Sequence, residues 1–185
     1  MRELALHVLD IVQNSLAAEA RNVMVEIDEQ PDEDHLTISI TDDGRGMDQE
    51  TVNRVLDPFV TTRLTRKVGL GLPLLLAAAQ RCNGDLLINS SPGKGTKVTA
   101  SFRYHHLDRA PVGDIAQTMA SLITLNGSVD ISYRHIFGTH GFSISTSDIR
   151  ARIGNMPLNN PDVYCFIMDY LSENIAKLQE AESGS

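Results

Sequence analysis

The run Asp42-Asp43-Gly44-Arg45-Gly46-Met47 constrains this chain more than any other stretch. It follows Leu36, Ile38 and Ile40, an apolar alternation with the period of a half-buried strand. A carboxylate therefore stands at the end of a buried strand, and the glycines after it permit a tight turn and a close approach of backbone to a flat ligand. Asp42 is so placed to accept a hydrogen bond from an exocyclic amine such as that of adenine. The same D-x-G-x-G spelling also describes an ordinary hairpin or loop turn, and alone it leaves both readings open.

The stretch from Arg2 to about Ala20 holds no Gly or Pro, and Leu4, Val8, Ile11, Val12, Ser15, Leu16 and Glu19 recur at helical spacing as one largely apolar face. The spacing predicts a helix. Glu3, His7, Asp10, Asn14 and Ala17 or Ala18 form a second stripe, so the Asp10 carboxylate and the Asn14 amide project from adjacent turns in one direction. That pair suits a hydrated Mg²⁺, which prefers oxygen ligands and keeps several waters while bridging phosphates. It also suits a plain solvated face carrying an i,i+4 pair.

Downstream come a helical segment beginning near Asp48, then Asp57-Pro58-Phe59-Val60-Thr61-Thr62-Arg63, Gly69-Leu70-Gly71-Leu72 and Gly93-Lys94-Gly95-Thr96. In this order and spacing, residues 1–103 resemble the gyrase, heat-shock chaperone, histidine kinase and MutL superfamily of ATPases, whose nucleotide site uses the Bergerat fold. The resemblance implies ATP and Mg²⁺ as cofactors. By it, Asn14 is the Mg²⁺-binding amide, Asp42 the adenine-reading carboxylate, Gly44 and Gly46 the glycines that let the base stack, and Met47 a side chain packed on the base. Gly69, Leu70, Gly71 and Leu72 look like the lid hinge and the start of a helix whose free N–H groups receive phosphate oxygens. Thr96 would support the adenine through its hydroxyl. Thr61, Thr62 and Arg63 resemble the P-F-x-T-T-[KR] box of nitrogen-regulation-type histidine kinases, with Arg63, Arg66 and Lys67 available to neutralise phosphate charge. A solvated basic loop is the other reading of these cations.

One departure concerns catalysis. Where MutL-like and gyrase-like ATPases carry Glu four residues before the Mg²⁺ Asn, and most histidine kinases carry Asn, this chain has Asp10. Asp10 remains the catalytic candidate, but its reach to an in-line water is one methylene shorter, which implies slow hydrolysis. Ala17 stands where MutL-like proteins have Asp, which moves the match toward the kinase and regulatory branches.

A net charge of −8 argues against non-specific binding to nucleic acid or to a membrane, both of which need clustered positive charge. No long apolar run or signal-peptide pattern occurs, so a cytoplasmic protein is expected. Cys82 and Cys165 form no ligand cluster and lie in helical apolar patterns, which predicts buried thiols. With no upstream phosphoacceptor unit in this sequence, the resemblance implies a free-standing ATP-binding module, similar in layout to anti-sigma factor kinases.

Residues 104–185 fall outside the resemblance and are expected to form a small α+β appendage of helix, hairpin and helix. A helix is predicted from Pro111 to Leu125, stopped at Asn126-Gly127. Val129, Ile131 and Tyr133, then Phe142 and Ile144, alternate on either side of Phe137-Gly138-Thr139-His140-Gly141 and read as a β-hairpin. Ser147 and Asp148 could cap a short helix ending at Gly154. Asn160-Pro161 opens a longer one, whose Val163, Phe166, Ile167, Tyr170, Leu171, Ile175 and Leu178 form an apolar stripe. That stripe is either packed on its own domain or offered to a partner, a homodimer being the working expectation. His106 precedes Pro111 much as in phosphoacceptor segments, yet Leu107 replaces the acidic residue that follows, and a linker histidine is the simpler reading.

The expected architecture is thus a two-layer α/β sandwich, helices on one face of a mixed sheet. The expected function is ATP-dependent regulation of a protein partner in signal transduction. Two classes remain open beneath it: a protein kinase or slow ATPase, and a non-catalytic switch that responds to nucleotide.

Overall fold

The computed structural model describes residues 3–56 and 70–183. Inward-facing residues alternate along β1 (Asn22–Gln30) and β2 (His35–Asp42), and only one face of each strand is apolar. That pattern requires helices on one side and solvent on the other. Both strands join β3 (Leu86–Ser90), β4 (Thr96–Arg103), β5 (Asp130–Phe137) and β6 (His140–Ser145) in one six-stranded sheet of order β3-β4-β2-β1-β5-β6. The sheet is mixed: β1 runs parallel to β5, and every other neighbouring pair is antiparallel.

Four helices line the covered face: α1 (Leu4–Ala17), α3 (Gly71–Arg81), α4 (Ile115–Leu125) and α6 (Pro161–Ser183). The short α2 (Gln49–Val55) and α5 (Thr146–Ile153) flank the sheet ends. Buried Leu4, Val8 and Val12 from α1, Val25 and Ile27 from β1, and Met119, Ile123, Ile167 and Leu171 from α4 and α6 belong to one continuous core. The boundary drawn near residue 103 therefore falls inside the sheet, because β5 and β6 extend it beyond β1. The N-terminus of α1 depends on the later segment too: Leu4 and Ala5 donate their N–H groups to Pro111 and Val112 carbonyls, in place of a side-chain cap. A further tie crosses the β1–β5 join, where the buried Glu29 carboxylate meets His135 Nε2 at 2.8 Å and Tyr133 Oη meets His135 Nδ1 at 2.8 Å. Burial, and secondarily the Glu29 charge, holds the Tyr133 phenol above its ordinary range.

Several boundaries differ from the sequence expectation for local reasons. The first helix ends at Ala17 because Glu19 takes a left-handed φ of 62°. The fourth starts at Ile115 rather than Pro111, since Gly113 is left-handed and the Asp114 side chain caps Gln117 N–H. Ser145, not Ser147, caps α5, accepting from Asp148 N–H at 3.1 Å. Cys82 is buried as expected, but Cys165 is exposed: it lies on the outward side of α6, next to the apolar stripe rather than within it. That stripe packs mainly on α4, with Val163, Ile167, Leu171 and Leu178 buried, while Phe166 stays 40% exposed. His106 lies in the linker after β4, its Nδ1 accepting from Asp108 N–H at 3.2 Å. Among the described residues, no helix is long and apolar enough to cross a membrane.

Candidate functional site

Asp42 is the last residue of β2, paired with Thr96 at the start of β4 and facing α1. Its carboxylate is held before any ligand arrives. Oδ1 accepts from Gly44 N–H at 2.9 Å and from Thr96 N–H at 3.2 Å, and Oδ2 accepts from the Ser15 hydroxyl at 2.6 Å. A carboxylate oxygen can accept twice, so Oδ2 keeps a lone pair for an amine donor. The orientation is also fixed from below, because the Asp43 side chain beside it is tied to Arg21 N–H, Asn22 N–H and the Asn22 amide. Those bonds, led by the Asn22 amide, keep the Asp43 carboxyl below its usual range.

The turn after Asp42 admits only glycine at the places that matter. A Cβ on Gly44 would stand 2.8 Å from the Ala18 carbonyl oxygen. Gly46 has φ +66°, and a Cβ there would fall 2.0 Å from the Ser91 carbonyl oxygen. The turn is thereby pressed against α1 on one side and the β3–β4 connection on the other. Ser90 fastens the second contact: its hydroxyl accepts from Met47 N–H at 2.8 Å, donates to the Gly95 carbonyl at 3.0 Å and lies 2.9 Å from Thr96 Oγ1.

Between these elements lies a cavity of about 210 Å³, lined by Asn14, Ser15, Asp42, Gly46, Met47 and Thr96 together with the apolar Ile11, Val55, Leu72 and Val98. An apolar slot with one carboxylate at its floor fits a flat heterocycle bearing an amine. Thr96 lines the cavity too, its hydroxyl 2.9 Å from Ser90 Oγ and its backbone N–H donating to Asp42. Leu70 precedes α3 and is 53% exposed, whereas Leu72 is buried and Gly71 opens the helix against Asp10. A Cβ on Gly71 would lie 3.1 Å from Asp10 Cβ and 3.5 Å from its Oδ2. The Asp10 carboxylate thus sits beside the first turn of α3, where free N–H groups gather positive potential. Burial raises its pKa, the direction a proton acceptor requires.

Asn14 faces the cavity one turn on from Asp10. Among the described residues no group of three or more His, Cys, Asp or Glu side chains could hold a metal unaided. A single amide oxygen at the cavity mouth fits Mg²⁺ that draws its other ligands from phosphate and water. Thr61, Thr62, Arg63, Arg66, Lys67 and Gly69 lie outside the described residues. Ser15 and Ser90 escaped the sequence reading as site residues. Ser15 did leave a trace, a lone hydroxyl within an otherwise apolar helical face directly after Asn14.

Comparison with known proteins bears on the family and the fold. Residues 2–106 match the family model described as histidine kinase-, DNA gyrase B- and HSP90-like ATPase. The chain is 34% identical over 88 residues to sporulation kinase C of Bacillus subtilis, covering 48% of this chain and 20% of that protein. It is 37% identical over 105 residues to sensor histidine kinase WalK of the same organism, covering 52% and 17%. The chain therefore spans a fifth or less of these curated relatives. Among solved structures, the N-terminal domain of a DNA repair protein superposes with a TM-score of 0.56 at 15% identity, over 78% of this chain and 52% of that one. The Aquifex aeolicus MutL ATPase domain complexed with ADP superposes at 0.50 with 17% identity, over 83% and 68%. At such identities these two establish the fold alone.

Proposed function

The chain belongs to the histidine kinase-, DNA gyrase B- and HSP90-like ATPase family, and we propose from that premise that it binds ATP with Mg²⁺ in the cytoplasm and regulates a protein partner by phosphoryl transfer or slow hydrolysis. The observation that carries this reading is the Asp42 carboxylate, held by Ser15, Gly44 and Thr96 at the floor of the apolar cavity with acceptor capacity to spare. Adenine offers a donor at that point and guanine a carbonyl, so the floor accepts one and repels the other. Asn14 would hold Mg²⁺, which when bound neutralises phosphate charge. Asp10, made more basic by burial, holds the proton of an attacking hydroxyl or water beside the α3 N-terminus. Sporulation kinase C and sensor histidine kinase WalK are kinases by name, which favours a protein as the acceptor.

A non-catalytic, nucleotide-responsive switch is the second reading, favoured by Asp10 itself, whose side chain is one methylene shorter than the Glu of the hydrolytic branches. Calorimetry and γ-labelled ATP separate the possibilities. ATP binds and GTP does not compete, while Asp42→Asn abolishes ATP binding in a chain that keeps its circular dichroism spectrum. Equal competition by GTP, or an unimpaired Asp42→Asn chain, removes the adenine assignment. Label on a co-incubated protein supports the kinase, free phosphate alone the ATPase, and neither the switch.

A further inference from the structure

We propose that the β6 edge of the sheet is a homodimer surface, on which a second copy of this chain adds its own β6 antiparallel to form one continuous sheet across a twofold axis. The proposal is independent of the nucleotide site.

The geometry starts from the β5–β6 register. Phe137 pairs with His140 across a two-residue turn, and His135 with Phe142 and Tyr133 with Ile144 follow. Even-numbered residues of β5 point their backbone toward β1, as the Asp130 N–H to Arg21 carbonyl bond shows, so the odd-numbered ones bond β6. His140, Phe142 and Ile144 are consequently the β6 residues whose N–H and C=O groups are spent on β5, and Gly141 and Ser143 direct both of theirs outward, whereas Ser145 offers its N–H alone because its carbonyl, as the cap of α5, accepts the first bond of that helix. Gly141 and Ser143 are exposed. The Tyr170 hydroxyl approaches the row from outside, 3.5 Å from the Ser143 carbonyl, which retains a second lone pair.

Edge strands are ordinarily guarded by charge, proline or a bulge. The segment His140–Ser145 contains no Lys, Arg, Asp, Glu or Pro. In a chain of net charge −8, a strand whose own side chains carry no carboxylate lets two copies approach with little repulsion. The outward row is also self-complementary. Placing Ser143 opposite Ser143 of the partner subunit lets that central pair exchange two backbone bonds, and the Ser145 N–H then donates to the carbonyl of Gly141 of the partner subunit, with the reverse bond by symmetry. All three positions carry small side chains, so the backbones can close to ladder distance.

A second layer completes the surface. A groove of about 270 Å³ runs beside Ser143 and Ile144, walled by Ile149 and Arg152 of α5 and by Phe166 and Tyr170 of α6. It explains the exposure of Phe166, which lies in the helix layer but at its outer margin. An antiparallel second copy brings its own α5 and α6 to this margin and buries both Phe166 rings. On α5, Asp148 and Arg152 line the groove one helical turn apart. The same twofold that inverts β6 inverts α5, so Asp148 approaches Arg152 of the partner subunit and the charges are complementary.

The test uses the full chain carrying Cys165→Ser, so that the exposed native thiol cannot react. Directly opposed residues of an antiparallel hydrogen-bonded pair lie about 5.5 Å apart between Cα atoms, within disulfide range. Ser143→Cys in that background should cross-link to a covalent dimer under mild oxidation, on the order of tenfold faster than Gly141→Cys, whose two copies lie at opposite ends of the ladder. In sedimentation, Ser143→Pro should weaken self-association on the order of a hundredfold, because it removes an outward N–H at the centre of the ladder. If Ser143→Pro fails to fold, the cysteine comparison decides. A parent chain that sediments as a monomer into the high micromolar range, equal cross-linking at positions 141 and 143, or a folded Ser143→Pro chain that still dimerises would each overturn the proposal; the first leaves the edge to a different protein.

Discussion

To read an amine, Asp42 would need a carboxylate that cannot turn away, and its Oδ2 is held by the hydroxyl of Ser15, a residue of the opposite layer. Two backbone donors hold Oδ1, but Oδ2, the oxygen with spare capacity, is steadied by the Ser15 hydroxyl alone among the described residues. A hydrogen bond to a charged group contributes about 1.5–3 kcal/mol. Ser15→Ala is therefore expected to weaken ATP affinity roughly tenfold to a hundredfold. Purine riboside triphosphate, which lacks the exocyclic amine, supplies the control by calorimetry. Ser15→Ala should narrow the gap between ATP and this analogue; an equal loss for both would mean that the substitution merely loosens α1. At this scale the sequence was partly legible. Asp42, Gly44 and Gly46 were candidates because a carboxylate at a strand end followed by spaced glycines fits a ligand turn as well as a plain one, and only the motifs downstream favoured the former. Ser15 and Ser90 were not, because a serine is common on any helix or strand and acquires meaning only from what the fold sets opposite it.

Among the elements, β1 is the one on which the rest depend, since it pairs with β2 on one side and β5 on the other. Its junction with β5 carries the buried Glu29–His135–Tyr133 chain of hydrogen bonds in addition to the backbone ladder. Removing one partner of a buried hydrogen-bond chain costs more than the bond contributes, because the surviving polar groups are left unpaired. Glu29→Ala should lower the unfolding free energy by about 1–3 kcal/mol in urea titrations, while a paired Glu29→Leu, His135→Leu replacement should recover much of it. A double replacement as unstable as the sum of the singles would show that packing, not the hydrogen-bond chain, governs the junction. The elements themselves were readable from periodicity and turn residues: α1, the β5–β6 hairpin and α6 all stand close to where the spacing sets them. Their pairing was not. Nothing in the alternation of Ile131 and Tyr133 says that this strand runs parallel to β1, because strand order is decided by how the helices between cover the same face, a non-local matter.

For the molecule as a whole, the consequence is that residues 104–183 complete the core on which the candidate nucleotide site rests. The N-terminal turn of α1, the helix that supplies Asp10, Asn14 and Ser15, takes its backbone acceptors from Pro111 and Val112. The same helix packs on α4, and the inward side chains Val25 and Ile27 of β1 share a core with Ile123 and Ile131. A chain ended at Tyr104 would strip β1 of its parallel neighbour and expose both its edge and its apolar face. At about 25 cal/mol per Å² of apolar surface, uncovering several such side chains costs as much as the whole stability of an ordinary domain. We expect the full chain to unfold in a single thermal transition that ATP and Mg²⁺ shift upward, and the chain ended at Tyr104 to lose that transition together with nucleotide binding. Circular dichroism melts with and without ATP measure both. Should the shortened chain melt cooperatively and respond to ATP as the full chain does, the first four strands and their helices would be a self-sufficient unit and the later strands a true appendage.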